Sequence, residues 1–241
     1  MSNVSIKDLN ISFGKTSVIE NLHLDIKVGE FVVLLGPSGC GKSTLLHVLG
    51  TLDRPDRGTV TVESEDVFAL GERRLAAFRN GHMGFVFQFH HLLPDFTALE
   101  NVMMPCLIAG TDVAAAKAVA REMLTSVGLE NRLGHRPNEL SGGEQQRVAV
   151  ARALANKPAI VFADEPSGNL DYRHSRQLND LLWSLARAKA VTFVIATHDR
   201  ALALRADREI RLENGLAREL TKAETASYSE EIGGVTPACR G

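Results

Sequence analysis

Apolar residues fall in two patterns along this chain, and the switch between them divides it into layers. Leu22, Leu24, Ile26 and Val28 alternate with Asn21, His23, Asp25 and Lys27. Side chains alternate faces along a strand, so this stretch reads as a half-buried strand ending at Gly29. Val4, Ile6, Leu9, Ile11 and Phe13 alternate more loosely and read as edge strands over 4–13. Thr59-Val60-Thr61-Val62-Glu63 alternates again after the turn Arg54-Pro55-Asp56-Arg57-Gly58. By contrast, Phe31-Val32-Val33-Leu34-Leu35 does not alternate, and neither do 83–87, 159–163 or 191–196. A strand that is apolar on both sides needs cover on both, as in a parallel sheet flanked by helices. The pattern thus predicts an antiparallel layer joined to an α/β layer.

Helical spacing fills much of the remainder. Leu75 and Phe78 mark a short helix over 71–80. Val113, Ala116, Val119, Ala120, Met123, Leu124 and Val127 share one helical face, with Gly128 placed as a C-cap. That stripe reads as core rather than site. Leu178, Leu181, Leu182 and Leu185 mark a further helix, and Asn214-Gly215 suits the turn of a closing hairpin over 210–216. Residues 221–241 have no apolar period and read as a loose tail without assigned function. The pattern divides 1–220, a single domain, into an α/β core with its antiparallel layer (1–88 and 158–220) and a helical lobe (89–157).

Composition narrows the function classes. With 27 Lys and Arg against 29 Asp and Glu the net charge is −2, so there is no basic footprint for nucleic acid. The cysteines Cys40, Cys106 and Cys239 are three and far apart, which suits neither a metal cluster nor a disulfide framework and fits a reducing compartment. The N-terminal residues lack the apolar core of a signal peptide, and the apolar runs fall short of the ~18 residues a membrane span needs. The expectation is a soluble protein, brought to any membrane by another.

The chemistry centres on Gly36-Pro37-Ser38-Gly39-Cys40-Gly41-Lys42-Ser43-Thr44, between a buried strand and a helix. Strand, glycine-rich turn and helix form the phosphate-cradling P-loop. Its glycines let backbone N–H groups curl around phosphates, and the helix N-terminus adds a favourable partial charge. Lys42 reaches the outer phosphates, and the Ser43 hydroxyl can ligate Mg²⁺. Asp164, at the end of an apolar strand, supplies a second handle on Mg²⁺, and the adjacent Glu165 can orient or deprotonate an attacking water. Gln88 and His198 end two further strands, where either can contact that water, the metal or the γ-phosphate. A second anion site follows from Leu140-Ser141-Gly142-Gly143-Glu144-Gln145-Gln146. Ser141 and Glu144 form a capping box, and Gly142 and Gly143 bare the backbone of a helix N-terminus. Two phosphate sites imply a nucleotide bound between two surfaces.

In that order, 36–44, Gln88, 140–146, 160–165, Ser167-Gly168-Asn169-Leu170-Asp171 and His198 resemble the ATP-binding-cassette (ABC) ATPases over most of the chain. The resemblance implies a P-loop ABC ATPase fold and hydrolysis of ATP with Mg²⁺. It further implies head-to-tail pairing of two copies, Ser141 and Gly143 of one closing on ATP held by the P-loop of the other, with 167–171 along the seam. It puts Phe13 where an aromatic ring stacks on adenine. Cys40 stands where a small Ser or Ala is usual, and Ser167 where Thr is usual.

Gln88-Phe89-His90-His91-Leu92-Leu93-Pro94-Asp95-Phe96-Thr97-Ala98-Leu99-Glu100-Asn101-Val102 is apolar yet broken by Pro94 and Asp95, which suits a docking surface. It resembles the ATPase subunits of bacterial lipoprotein-releasing transporters, as do His135-Arg136-Pro137 and 163–171; cassettes serving cell division and macrolide efflux share parts of it. The resemblance implies a peripheral ATPase on the cytoplasmic face of the inner membrane, docked through 89–102 onto integral membrane subunits that move lipoproteins toward the outer membrane. No nucleic-acid partner is expected.

Overall fold

The computed structural model describes residues 2–14, 16–221 and 224; all but these two residues of the 221–241 tail lie outside them. Two sheets organise the chain. The first has the order β2-β1-β4-β5, all antiparallel, formed by β1 (Ser2–Phe13), β2 (Thr16–Lys27), β4 (Arg57–Val62) and β5 (Glu65–Asp66). The second has the order β10-β9-β3-β8-β7-β6. In it β3 (Phe31–Leu35), β6 (Met83–Phe87), β7 (Ile160–Asp164), β8 (Thr192–Ala196) and β9 (Arg208–Glu213) run parallel, and β10 (Leu216–Leu220) closes one edge antiparallel.

The non-alternating strands are apolar on both faces because they feed two cores. Phe31, Val33 and Leu35 pack with the helices α3 (Ala98–Ile108), α4 (Val113–Ser126), α5 (Gly142–Leu154) and α6 (Tyr172–Lys189). Val32 and Leu34 point the other way, toward α1 (Lys42–Leu49) and the antiparallel sheet. Strands β7 and β8 divide likewise: Val161, Ala163, Phe193 and Ile195 on the helical side, Ile160, Phe162, Val194 and Ala196 on the other. Full burial on both faces contributes about 1.5–3 kcal/mol for each large side chain.

Three expectations need correction. Strand β1 is not an edge strand: it pairs with β2 on one side and β4 on the other. Its buried residues change parity between Ile6 and Leu9, and the register with β2 shifts there, where Asp8 takes a left-handed conformation (φ 51°). The extra residue is a bulge that returns Leu9 and Ile11 to the core. Gly58 (φ 99°) passes so close that a Cβ would lie 2.6 Å from the Asp8 carbonyl oxygen. Val28 is 63% exposed because β2 ends at Lys27 and the chain turns at Gly29 (φ 76°). Val113 is 65% exposed at the first turn of α4, ahead of the buried stripe Ala116, Ala120, Met123 and Leu124. Helix α2 (Glu72–His82) and the hairpin with Asn214 (φ 51°) and Gly215 (φ 78°) match the sequence pattern, whereas the short helix α7 (Arg200–Ala203) and the two-residue strand β5 are too short to leave a periodic mark.

Candidate functional site

Parallel pairing brings the distant motifs together. Phe87 is level with Asp164, Asp164 with Ala196, and Ala196 with Leu34. The next residues, Gln88, Glu165, Thr197 and the start of the P-loop, therefore leave one edge of the sheet side by side, at the carboxyl ends where open α/β sheets bind ligands. A cleft of about 730 Å³ opens there. Ser38, Gly39, Gly41, Lys42, Ser43, Thr44, Gln88, Glu165 and His198 all line it, with Ser167, Gly168 and Asp199. Asp164 ends β7, half-buried beside it. Phe13 ends β1, and its side chain is outside the described part of the structure.

The P-loop conformation depends on its glycines. A Cβ on Gly36 (φ 152°) would lie 2.3 Å from the Leu212 carbonyl oxygen and 2.6 Å from Cys40 Sγ. A Cβ on Gly41 (φ 100°) would lie 2.5 Å from Val18. Pro37 supplies one of two carbonyls to Lys42, which is only 7% exposed and donates from Nζ to Gly36 O (2.9 Å) and Pro37 O (3.0 Å). The loop thus grips its own cation at the mouth of the helix, where an anion gains most.

Glu165 sits in a left-handed conformation (φ 43°), its N–H donating to Ala196 O at 2.9 Å. Its Oε1 lies 3.1 Å from His198 Nε2, and the His198 N–H donates to Oε2 at 3.4 Å. Burial pushes the Glu165 carboxyl above the usual carboxylate range, outweighing the opposing pull of His198. A carboxylate held this way is a stronger base than a solvated one. Asp199 caps α7 through Leu202 N at 3.1 Å and accepts from Asn179 Nδ2 at 2.7 Å, anchoring the turn that carries His198.

Ser141, Gly142 and Gly143 do not line this cleft. They start α5, with Ser141 and Glu144 forming the expected capping box. The Arg132 guanidinium, 2.8 Å away, together with the Ser141 N–H, holds the Glu144 carboxyl down at about 2. The glycines face α6: a Cβ on Gly143 would lie 3.5 Å from the His174 ring, and His174 Nδ1 is 2.7 Å from Asp171 Oδ2. The start of α5 therefore lies against the turn that ends 167–171, outside the lining of the cleft.

The ABC transporter family model matches residues 19–168. This chain is an ABC transporter ATPase. The lipoprotein-releasing system ATP-binding protein LolD of Bacteroides fragilis is 51% identical over 212 residues, covering 88% of this chain and 98% of that protein. Its counterpart from Geobacter metallireducens is 53% identical over 216 residues, covering 88% and 96%. Among solved structures, the dimeric post-hydrolysis state of the ATP-binding cassette MJ0796 bound to ADP and Pi is similar at a TM-score of 0.82 and 38% identity, over 91% of this chain and 98% of that one.

The cassette also contains contacts between residues far apart in the chain. Asn169 and Gln88 exchange two hydrogen bonds of 3.0 Å. Gln146, fully buried, donates to Phe87 O at 2.9 Å and meets His90 Nδ1 at 2.6 Å. Arg152 donates to His91 O at 2.7 Å and to His90 O at 2.9 Å. Asn101, fully buried, ties down the irregular stretch from Leu93 to Thr97. Gln146 closes the 140–146 motif and Asn101 lies in the 88–102 stretch, but the sequence does not show what either side chain holds.

Proposed function

We propose that this cassette is the ATP-hydrolysing subunit of a transporter that releases lipoproteins from the bacterial inner membrane toward the outer membrane. The identity of about 50% to lipoprotein-releasing ATP-binding proteins, over 88% of the chain, carries the reading. We assign 1–88 and 158–220 to the nucleotide-binding core and 89–157 to the helical lobe.

In this reading two copies pair head to tail and enclose two ATP molecules. The P-loop N–H groups of residues 36–44 cradle the phosphates, and Lys42 shifts from its loop carbonyls to the outer phosphate oxygens. Phe13 stacks on adenine. Glu165 accepts a proton from the attacking water while His198 holds that carboxylate and contacts the γ-phosphate. Ser141, Gly142 and Gly143 of the second copy complete the anion's surroundings. Among the described residues no cluster of three or more His, Cys, Asp or Glu could hold a metal ion. The Ser43 hydroxyl, the Gln88 amide oxygen and the Asp164 carboxylate are hard oxygen donors of the kind Mg²⁺ takes together with nucleotide phosphates and water. When bound, Mg²⁺ neutralises charge on the phosphates.

Membrane subunits dock beside 89–102. Phe89 is 65% exposed, and Leu93 and Phe96 are each 39% exposed. An adjoining groove of about 450 Å³ is lined by Leu52, Phe85, Phe87, Pro105 and Ile108. Such an apolar surface on a charged cassette suits a short amphipathic segment of a partner. Among the described residues no helix is long and apolar enough to cross a membrane, which fits a peripheral place at the cytoplasmic face. The test is purification of the tagged chain from membranes with identification of its companions. Lipoprotein-releasing membrane subunits are expected; cell-division or efflux subunits in their place overturn the assignment.

A further inference from the structure

Gln88 is asked to present an oxygen to the cleft, yet its amide carries an oxygen and an NH₂ of nearly equal size. The structure contains the device that decides between them. The main-chain carbonyl of Gln88 can only accept, so it draws the Asn169 NH₂, and Nδ2 donates to it at 3.0 Å. Asn169 Oδ1 must then face the Gln88 side chain as an acceptor. It therefore draws the Gln88 NH₂, and Nε2 donates to Oδ1 at 3.0 Å. Each orientation follows from the one before, back to a carbonyl that has no alternative role. The amide is also confined laterally: a Cβ on Gly168 would lie 3.1 Å from Gln88 Nε2 and 3.3 Å from Cδ. Gln88 lines the same cleft as the P-loop residues Lys42 and Ser43.

We propose that Asn169 is a positioning residue that holds the Gln88 NH₂ away from the nucleotide and leaves Oε1 as the group offered to a divalent cation in the cleft. Asn169 touches neither nucleotide nor metal in this role. The proposal rests on the reading of Gln88 as a metal-side residue. It also ties the segment 167–171 to the foot of the docking stretch within one copy, so a shift of either reaches the other through two hydrogen bonds.

The test compares ATP affinity with Mn²⁺ and with EDTA, in a Glu165→Gln background so that the nucleotide persists, by equilibrium binding of radiolabelled ATP. The quantity read is the gain in affinity that Mn²⁺ confers. Asn169→Ala is expected to cut that gain by about 3- to 10-fold, the scale of one neutral hydrogen bond, while affinity in EDTA is unchanged. Gln88→Ala is expected to cut it by at least as much. The double variant should lose no more than Gln88→Ala alone, since both act through one oxygen. If Gln88→Ala loses the gain and Asn169→Ala keeps it, the positioning role is overturned and the reading of Gln88 stands. If neither loses it, Gln88 is not a metal-side residue and both fall. Thermal melts of the three variants, expected within a few degrees of the parent, separate these outcomes from misfolding; a lost gain accompanied by a collapsed melt overturns the local role in favour of a structural one.

Discussion

Asn101 offers the sharpest measure of how the irregular stretch ahead of α3 is held. It is fully buried, and Nδ2 donates toward three carbonyls: Leu93 O (3.1 Å), Phe96 O (3.1 Å) and Thr97 O (3.0 Å). Oδ1 accepts from Leu93 N at 2.8 Å. Asn101→Ala removes all four contacts. The Thr97 carbonyl keeps the main-chain N–H of residue 101 at 2.9 Å. The Leu93 carbonyl likewise keeps the Phe96 N–H at 3.2 Å, so the Leu93 N–H and the Phe96 carbonyl lose their partner, at about 1–3 kcal/mol for a group left unsatisfied. Leu93 and Phe96 are each 39% exposed, so water can recover part of the carbonyl cost. The total comes to about 2–4 kcal/mol, which lowers the melting temperature by roughly 5–12 °C for a chain of this size. Asn101→Asp should be worse than alanine at neutral pH, because a carboxylate would face three carbonyl oxygens with no proton to give. Its deficit relative to alanine should narrow as the pH falls and the acid regains a donor. Differential scanning calorimetry at pH 7.5 and pH 5 reads both effects. An Asn101→Ala melt within 1 °C of the parent, or an aspartate variant that outlasts the alanine one at pH 7.5, refutes the reasoning.

Other consequences follow from the cleft and from the start of α5. Glu165→Gln should bind ATP but stall hydrolysis, so an ATP-dependent dimer accumulates on a sizing column; hydrolysis at the parent rate removes Glu165 as the base. The raised Glu165 carboxyl makes the folded state bind more protons than the unfolded one between the ordinary and the raised pKa, so its charge costs stability as pH rises through that window. Glu165→Gln should therefore melt higher than the parent at pH 7.5, with the gap closing below the raised pKa; an equal or lower melt at pH 7.5 counts against burial as the cause. Ser141→Arg should leave ATP binding to one copy intact and abolish dimer closure and ATPase activity, read by the same column and by phosphate release. Cys40 Sγ lies 4.0 Å from Lys42 Nζ and is half-buried, whereas Cys106 is only 3% exposed. N-ethylmaleimide should therefore block ATP binding, bound ATP should protect, and Cys40→Ser should stay active and resist the reagent.

The fold was legible where burial leaves a periodic mark. Phe31 to Leu35 announced a two-sided strand because Phe31 and Val33 enter one core while Val32 and Leu34 enter the other. The central place of β1 was not legible, because sheet order depends on partners far along the chain and a bulge at Asp8 blurs the alternation. The site was legible where chemistry demands a contiguous run, as in 36–44 and 140–146. Parallel strand register then supplied what sequence cannot, placing Gln88, Glu165 and Thr197 side by side from positions 32 or more residues apart. Contacts such as Gln88 with Asn169, 81 positions apart, leave no local pattern at all.

Those non-local contacts share a direction. Helix α5 begins at Gly142 and Gly143 and runs 13 residues, about 20 Å at the usual rise. Near its start Gln146 holds the Phe87 carbonyl and the His90 ring, and near its end Arg152 holds the carbonyls of His90 and His91. The helix is capped, packed on α3, α4 and β6, and buried at Val148, Ala149, Val150 and Ala151, so it moves as a body. An anion drawn to its first turn, as proposed, would therefore act on the same element that holds Phe87, His90 and His91. The polar links reach the foot of the 88–102 stretch from two sides, through α5 and through Asn169. This explains why 89–97, which precede α3 and have no regular structure, are held by buried amides and a guanidinium rather than by apolar packing alone: packing tolerates small slides, whereas hydrogen bonds to named carbonyls transmit them.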